Sequence, residues 1–110
     1  MLELIRRERV TTETRALSGV KGSGFLYCGR PSHFGNPWKV NAHNNRADAI
    51  SMFAQEFEKD LQLQEDFLYA ARQAWKPGFG IVLLCWCRGF ESCHTDILIE
   101  FLKMRAEEKK

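Results

Sequence analysis

The chain has 110 residues, 45% of them hydrophobic and 27% charged, a composition typical of one globular domain and unlike that of a disordered protein. Its formal net charge of +2 is too small to indicate nucleic-acid binding by itself. The longest apolar run, Ile81–Cys87, is far shorter than the roughly 20 residues of a membrane helix, which argues against a membrane protein. We expect a single domain over residues 1–110, with residues 1–24 at its periphery and the core within about 25–102.

The first ten residues carry charged side chains in place of the apolar segment of a signal peptide, so we expect a cytoplasmic protein. Thiols stay reduced in that compartment. The four cysteines are therefore expected as free thiols or metal ligands before disulfides.

The first part of the chain alternates between short strands and irregular segments. Leu2–Val10 is a charged candidate for an edge strand, and Thr11–Gly24 is a polar candidate loop. Phe25–Cys28 is a short apolar strand. Gly29–Trp38 is too rich in Gly, Pro, Ser and Asn for regular structure, and is either a long structural turn or a binding loop.

After the first motif-bearing loop, apolar residues recur at helical spacing. Asn44 or Asn45 is the expected N-cap of a helix that continues to about Leu61. A second helix is predicted over Gln64–Trp75, and a last one begins near Cys93.

The segment Ile81–Cys87 has the length of a strand and is apolar on both faces, which predicts a central strand covered on both sides. Alternation places Leu83 and Cys85 on one face and Leu84 and Trp86 on the other. The order of elements makes a crossover between parallel strands plausible. We therefore expect a small single-domain α/β protein with a short, partly parallel sheet flanked by helices.

Two polar segments, Gly29–Trp38 and Arg88–His94, leave the carboxyl ends of the predicted strands. Open α/β sheets bind ligands at that edge. We expect one pocket there with Cys93 as its more accessible thiol and Cys85 as the more buried one. Six residues are expected to line it: Arg30, Ser32, Asn36, Cys93, His94 and Asp96.

The cysteine-rich end of this region allows two kinds of chemistry. Cys85, Cys87, Cys93 and His94 have the donor types of a tetrahedral zinc site. The adjacency of Cys93 and His94 is awkward for chelating one ion, so buried, inert thiols are the favoured interpretation and zinc is not.

At the start of a helix, however, the pKa of a thiol is lowered, which makes Cys93 a candidate nucleophile. His94 and Asp96 would then act as acid or base, or simply cap the helix.

The loop after the second strand offers groups for an anionic ligand. Arg30 presents a forked set of donors suited to a phosphate or carboxylate. Ser32 and Asn36 are suited to ligand hydrogen bonds or to turns, and Gly29 and Gly35 let the backbone approach a ligand closely.

Both segments resemble the signatures of one family. Residues 27–38, YCGRPSHFGNPW, resemble Y-x-G-R-x-S-x-x-G-N-P-[FW], and CWC at 85–87 with CHTD at 93–96 resembles C-W-C…C-H-x-D, both typical of domain of unknown function 4326. The resemblance covers about residues 25–102. That family occurs in bacteria and their phages and carries no established reaction.

The resemblance implies that residues 27–38 and 85–96 are the two segments that mark the family. We call them the first and the second motif segment. Cys28 stands where the family usually has an aliphatic residue, so we set it aside as a ligand; Thr95 stands where glycine is usual. The candidate catalytic residues are Cys93, His94 and Asp96. The candidate ligand-binding residues are Gly29, Arg30, Ser32, Gly35, Asn36, Trp86 and Cys87.

Two functions follow from these residues. The first is a site for a phosphate-bearing ligand such as a nucleotide or nucleic-acid component, in an enzyme or a binding protein. The alternative is a non-catalytic interaction module, phage-encoded and directed at a host protein in the host cytoplasm, with a structural cysteine–histidine cluster.

Overall fold

The computed structural model of the chain describes residues 4–29, 32, 34–36, 45–86 and 93–108. Within these ranges it contains three strands and four helices. In chain order they are β1 (Ile5–Arg9), α1 (Thr12–Leu17), β2 (Phe25–Tyr27), α2 (Arg46–Lys59), α3 (Leu61–Ala74), β3 (Ile81–Cys85) and α4 (Thr95–Glu108). None of the described helices is both long enough and apolar enough to span a bilayer.

The three strands form one sheet in the order β1-β3-β2, and both pairings are parallel. All five residues of β3 are buried, since the strand is paired on both sides and covered on both faces. The predicted small α/β fold, with a short, partly parallel sheet and this segment as its central strand, is therefore confirmed, and both observed pairings are parallel.

Alternation along β3 separates two apolar clusters, as predicted. Ile81 and Leu83 belong to the main core, together with Phe53, Phe67 and Leu98 from the three long helices. Val82 and Leu84 belong to a smaller cluster on the opposite face of the sheet. The other buried members of that smaller cluster are Val10 and Tyr27.

The two central helices meet at a break marked by a single acidic residue. Asn45 caps α2 by accepting a hydrogen bond from the Asp48 backbone, as the sequence predicted. Asp60 ends α2 and caps α3 by accepting from the Leu63 backbone, so α3 begins earlier than its apolar spacing indicated. The cap satisfies backbone donors that would otherwise be unpaired at the helix start.

The prediction of a loop over Thr11–Gly24 is wrong, because this stretch contains α1. Thr11 and Thr14 form a capping box that starts the helix. No residue of α1 is buried, so the helix has no apolar stripe that a sequence pattern would reveal. The Ser18 hydroxyl, just after α1, accepts a hydrogen bond from the Tyr27 backbone at 2.6 Å and thereby covers the outer edge of β2.

Candidate functional site at the carboxyl edge of the sheet

Backbone hydrogen bonds extend the sheet one residue past its strands at the carboxyl edge. The Cys28 amide donates to the Leu84 carbonyl at 2.8 Å, and the Val10 amide donates to the Cys85 carbonyl at the same distance. The chain then returns to this edge at Cys93, two residues before α4 begins. Parts of both motif segments are therefore anchored to neighbouring strands.

His94 joins the two motif segments. Its Nε2 lies 2.5 Å from the carbonyl oxygen of Cys28, and since a carbonyl only accepts, Nε2 carries the proton of this bond. The edge of the imidazole packs against the Phe53 ring of α2, with 5.1 Å between ring centroids. His94 is only 8% exposed, so it holds β2's end, α2 and α4 together from the interior.

Cys93 and Cys85 are both 1% exposed, so the prediction that Cys93 is the more accessible thiol is wrong. Cys93 Sγ lies 3.7 Å from His94 Nδ1. The Thr95 hydroxyl donates to Cys85 Sγ at 3.9 Å, and Cys85 in turn hydrogen-bonds to Cys93. That bond from Cys85 is the largest influence lowering the pKa of Cys93 below its ordinary value of 9.0; His94 and Thr95 act in the same direction, against burial.

Cys28, set aside on sequence grounds, belongs to this cluster. Its side chain is fully buried, and burial followed by the negative charge of Cys93 raises the pKa of the Cys28 thiol above its ordinary value. The pKa values of the neighbouring thiols of Cys28 and Cys93 are thus shifted in opposite directions. Among the residues that the structure describes, no three Cys, His, Asp or Glu side chains are arranged to hold a metal ion. Cys87, one of the four candidate zinc ligands, lies outside the described residues.

Asp96 is engaged with two protein groups. One carboxylate oxygen accepts the Cys93 backbone N–H at 3.2 Å, and the other lies 3.6 Å from Nη1 of Arg7 on β1. The first contact satisfies a backbone donor at the start of α4. This is the capping role that the sequence offered for Asp96 as the alternative to a catalytic one. The ion pair with Arg7 had no sequence signal, because the two residues are far apart in the chain.

Asn36 brings the end of the first motif segment onto α2. Its side-chain amide donates to the Ala49 carbonyl at 3.0 Å and is buried. Ala49 lies one helical turn before Phe53, the ring that contacts His94. Asn36 and His94 therefore touch adjacent turns of the same helix.

Ser32 and Gly35 lie in two successive turns. The Ser32 amide donates to the Gly29 carbonyl at 2.9 Å, and the Gly35 amide donates to the Ser32 carbonyl at 3.0 Å. The Ser32 hydroxyl oxygen is buried and has no hydrogen-bond partner within the described part of the chain. Arg30, the predicted anion-binding residue between Gly29 and Ser32, lies outside the described residues.

Trp86 lies on the other face of the sheet, with Tyr27. Its indole Nε1–H donates to the Tyr27 hydroxyl at 2.7 Å, yet the residue remains 60% exposed. The candidate residues are thus divided between two faces: a buried cluster around Cys93 and His94, and an exposed indole held by Tyr27. The alternation along β3 produces this division.

Gly29 has a structural reason to be glycine. A Cβ at this position would come 2.6 Å from the Tyr27 hydroxyl and 2.7 Å from the ring carbon that bears it. We expect Gly29→Ala to lower the free energy of unfolding by about 1–3 kcal/mol, the usual cost of overpacking, as measured by urea denaturation. The loss should shrink in a Tyr27→Ala background, where the ring is gone; an equal loss in both backgrounds would contradict this explanation.

Comparison with known protein families gives a match to most of the chain. The family model described as a domain of unknown function matches residues 7–104, which is most of the chain. Searches of curated proteins and of solved structures gave no match. The matched range takes in β1 from Arg7 onwards, both motif segments and most of α4. The chain belongs to the family Domain of unknown function (DUF4326).

Proposed function

We propose that the protein binds a nucleotide or a nucleic-acid component at the carboxyl edge of its sheet. The observation that carries this proposal is Trp86, an indole that is 60% exposed and directly follows the central strand. Exposed aromatic side chains are costly in water and are common where a flat ligand stacks on them. The carboxyl edge is also where open α/β sheets bind ligands.

The hydrogen bond from Trp86 to Tyr27 supports this role because it fixes the ring before any ligand arrives. A ring held in one orientation loses little conformational entropy on binding. Stacking of a base on an aromatic side chain is worth about 1–3 kcal/mol and tolerates any base. Trp86 would therefore contribute affinity without selecting one base.

The phosphate of the ligand is assigned to the first motif segment. Arg30 follows Gly29 directly in sequence, and its guanidinium matches the geometry of a phosphate. The Ser32 hydroxyl in the adjoining turn, which has no hydrogen-bond partner among the described residues, is a further donor for such a ligand. A polar atom that is buried without a partner carries a cost that a ligand hydrogen bond would remove.

A nucleotide panel tests the proposal by thermal shift and then by calorimetry. We expect at least one nucleotide to bind, and Trp86→Ala to weaken its binding by about 5- to 150-fold, the equivalent of one lost stacking contact. Trp86→Phe, which keeps an aromatic ring, should lose much less, and Arg30→Ala should weaken phosphate-bearing ligands selectively. The proposal fails if no nucleotide binds, or if Trp86→Ala binds as tightly as the wild type.

The alternative is a non-catalytic interaction module, phage-encoded and directed at a host protein. It is favoured by one observation: both ring nitrogens of His94 and both carboxylate oxygens of Asp96 contact protein groups. Groups engaged in this way stabilise the fold and do not need a substrate to explain them. Absence of nucleotide binding, together with capture of one defined host protein that Trp86→Ala no longer binds, would support this alternative.

A further inference from the structure

The sheet face opposite α2, α3 and α4 carries cations stacked on aromatic rings. We call it the cation–aromatic face, and its members are Arg6, Arg15, Tyr27, Lys76, Phe79 and Trp86. It includes the Trp86 indole of the proposed site and continues from there along the sheet.

Two groups of contacts make up this face. The Arg15 guanidinium lies 3.8 Å from the centre of the Tyr27 ring, whose hydroxyl accepts the Trp86 hydrogen bond. At the amino end of β3, the Arg6 guanidinium and the Lys76 ammonium lie 4.5 and 5.5 Å from the centre of the Phe79 ring. Arg6 is also held by a 2.9 Å bond from its Nη1 to the Phe79 carbonyl. The cations are therefore positioned by the rings beneath them.

No long helix of the described part of the chain packs on this face. The long helices α2, α3 and α4 supply the main core on the other side, whereas the smaller cluster has four buried members within the described ranges. The helix nearest to this face in sequence, α1, has six residues and buries none of them. Arg15 and Lys76 remain exposed above their rings. Glu8 lies two residues after Arg6 and therefore on the same face of β1. It is the one carboxylate that β1 adds to this face.

The distance between the two groups of contacts, one at Phe79 and one at Trp86, matches the length of a short oligonucleotide. Phe79 precedes β3 and Trp86 follows it, so the groups are separated by the length of the strand. Five residues at about 3.3 Å each span roughly 17 Å. Stacked nucleotides rise about 3.4 Å each along a strand, so this distance matches roughly five nucleotides.

We propose that the ligand is a single-stranded nucleic acid whose base stacks on Trp86 and whose phosphates run along the cation–aromatic face past Arg15 to Lys76. This inference rests on the proposed function and extends it from a nucleotide to a strand. Grooves that combine positive charge with aromatic rings bind single strands in this way, through the backbone and through stacking. A free nucleotide would use Trp86 but would not reach Lys76.

A length series of oligonucleotides tests the inference on the full chain by fluorescence anisotropy. We expect affinity to rise from one nucleotide to about five and then to level off. Arg15→Ala and Lys76→Ala should each lower oligonucleotide affinity and reduce the salt slope by about 0.7, the value for one lost phosphate contact on a single strand. Mononucleotide affinity should stay unchanged in Lys76→Ala.

Arg72→Ala is the matched control, because it removes an exposed positive charge from α3, on the other side of the sheet. It should leave the oligonucleotide affinity unchanged. Single-stranded RNA and DNA of the same sequence distinguish the two sources of the ligand, and either supports the inference. Circular dichroism checks that Arg15→Ala remains folded, and Lys76→Ala keeps the test valid if it does not.

Three results would overturn the inference. If mononucleotides bind and longer strands bind no more tightly, the proposed nucleotide site stands and the inference of a single-stranded ligand is rejected. Equal affinity for duplex and single strand, or an equal loss in Arg72→Ala, means that only general charge attraction is measured. No binding of any nucleotide or oligonucleotide rejects the proposed function as well.

Discussion

Replacing His94 by alanine should lower the free energy of unfolding by about 2–4 kcal/mol. The substitution removes the donor that satisfies the Cys28 carbonyl and leaves a cavity beside the Phe53 ring. A buried acceptor without a partner costs about 1–3 kcal/mol, and the cavity adds to that cost. Urea denaturation followed by circular dichroism measures the difference.

The geometry of the hydrogen bond from His94 Nε2 to the Cys28 carbonyl suggests two matched control variants. Glutamine places an amide nitrogen near the position of the imidazole Nε2, whereas the shorter asparagine reaches only the position of Nδ1. His94→Gln should therefore recover part of the lost stability and His94→Asn should not. Equal stability of the two variants would show that the bond to Cys28 does not fasten the motif segments.

The stability supplied by Cys93 should decrease as the pH falls. Hydrogen bonds from Cys85, His94 and Thr95 lower the pKa of Cys93 in the folded protein below its ordinary value of 9.0. A group whose pKa is lowered by folding contributes stability that is complete above its unfolded pKa and is lost towards its folded pKa. The difference in unfolding free energy between the wild type and Cys93→Ser should therefore decrease as the pH falls below the unfolded pKa of the thiol. The decrease should be up to about 1.4 kcal/mol per pH unit.

Urea denaturation of both proteins between about pH 8 and pH 6 measures this difference, which should shrink by up to roughly 2–3 kcal/mol. Cys28 has a raised pKa, so its contribution changes only above the ordinary thiol range and does not enter this window. Serine stays neutral throughout, and all other titrating groups are common to the two proteins. A difference that is independent of pH would mean that Cys93 is a neutral, buried thiol.

Periodicity placed all three strands and the three long helices of this fold approximately, but not α1. The apolar run at Ile81–Cys87 predicted the central strand observed at Ile81–Cys85, because a strand paired on both sides and covered on both faces buries every residue. Asn44 or Asn45 was the predicted cap of α2, and Asn45 is the observed one, because a capping side chain is a local requirement. The same reasoning missed α1, which is capped by Thr11 but has no apolar stripe.

The sequence by itself determined the α/β fold, the two faces of β3 and the two segments that carry the polar residues, because these depend on local spacing and on motif resemblance. Only the tertiary structure decided which partners those residues take. Cys28 holds His94 through its carbonyl, a backbone group that every residue has and that no pattern marks. Arg7 meets Asp96, and Trp86 meets Tyr27, across the sheet from distant parts of the chain. Such contacts depend on the order of strands in the sheet, so local spacing carries no record of them.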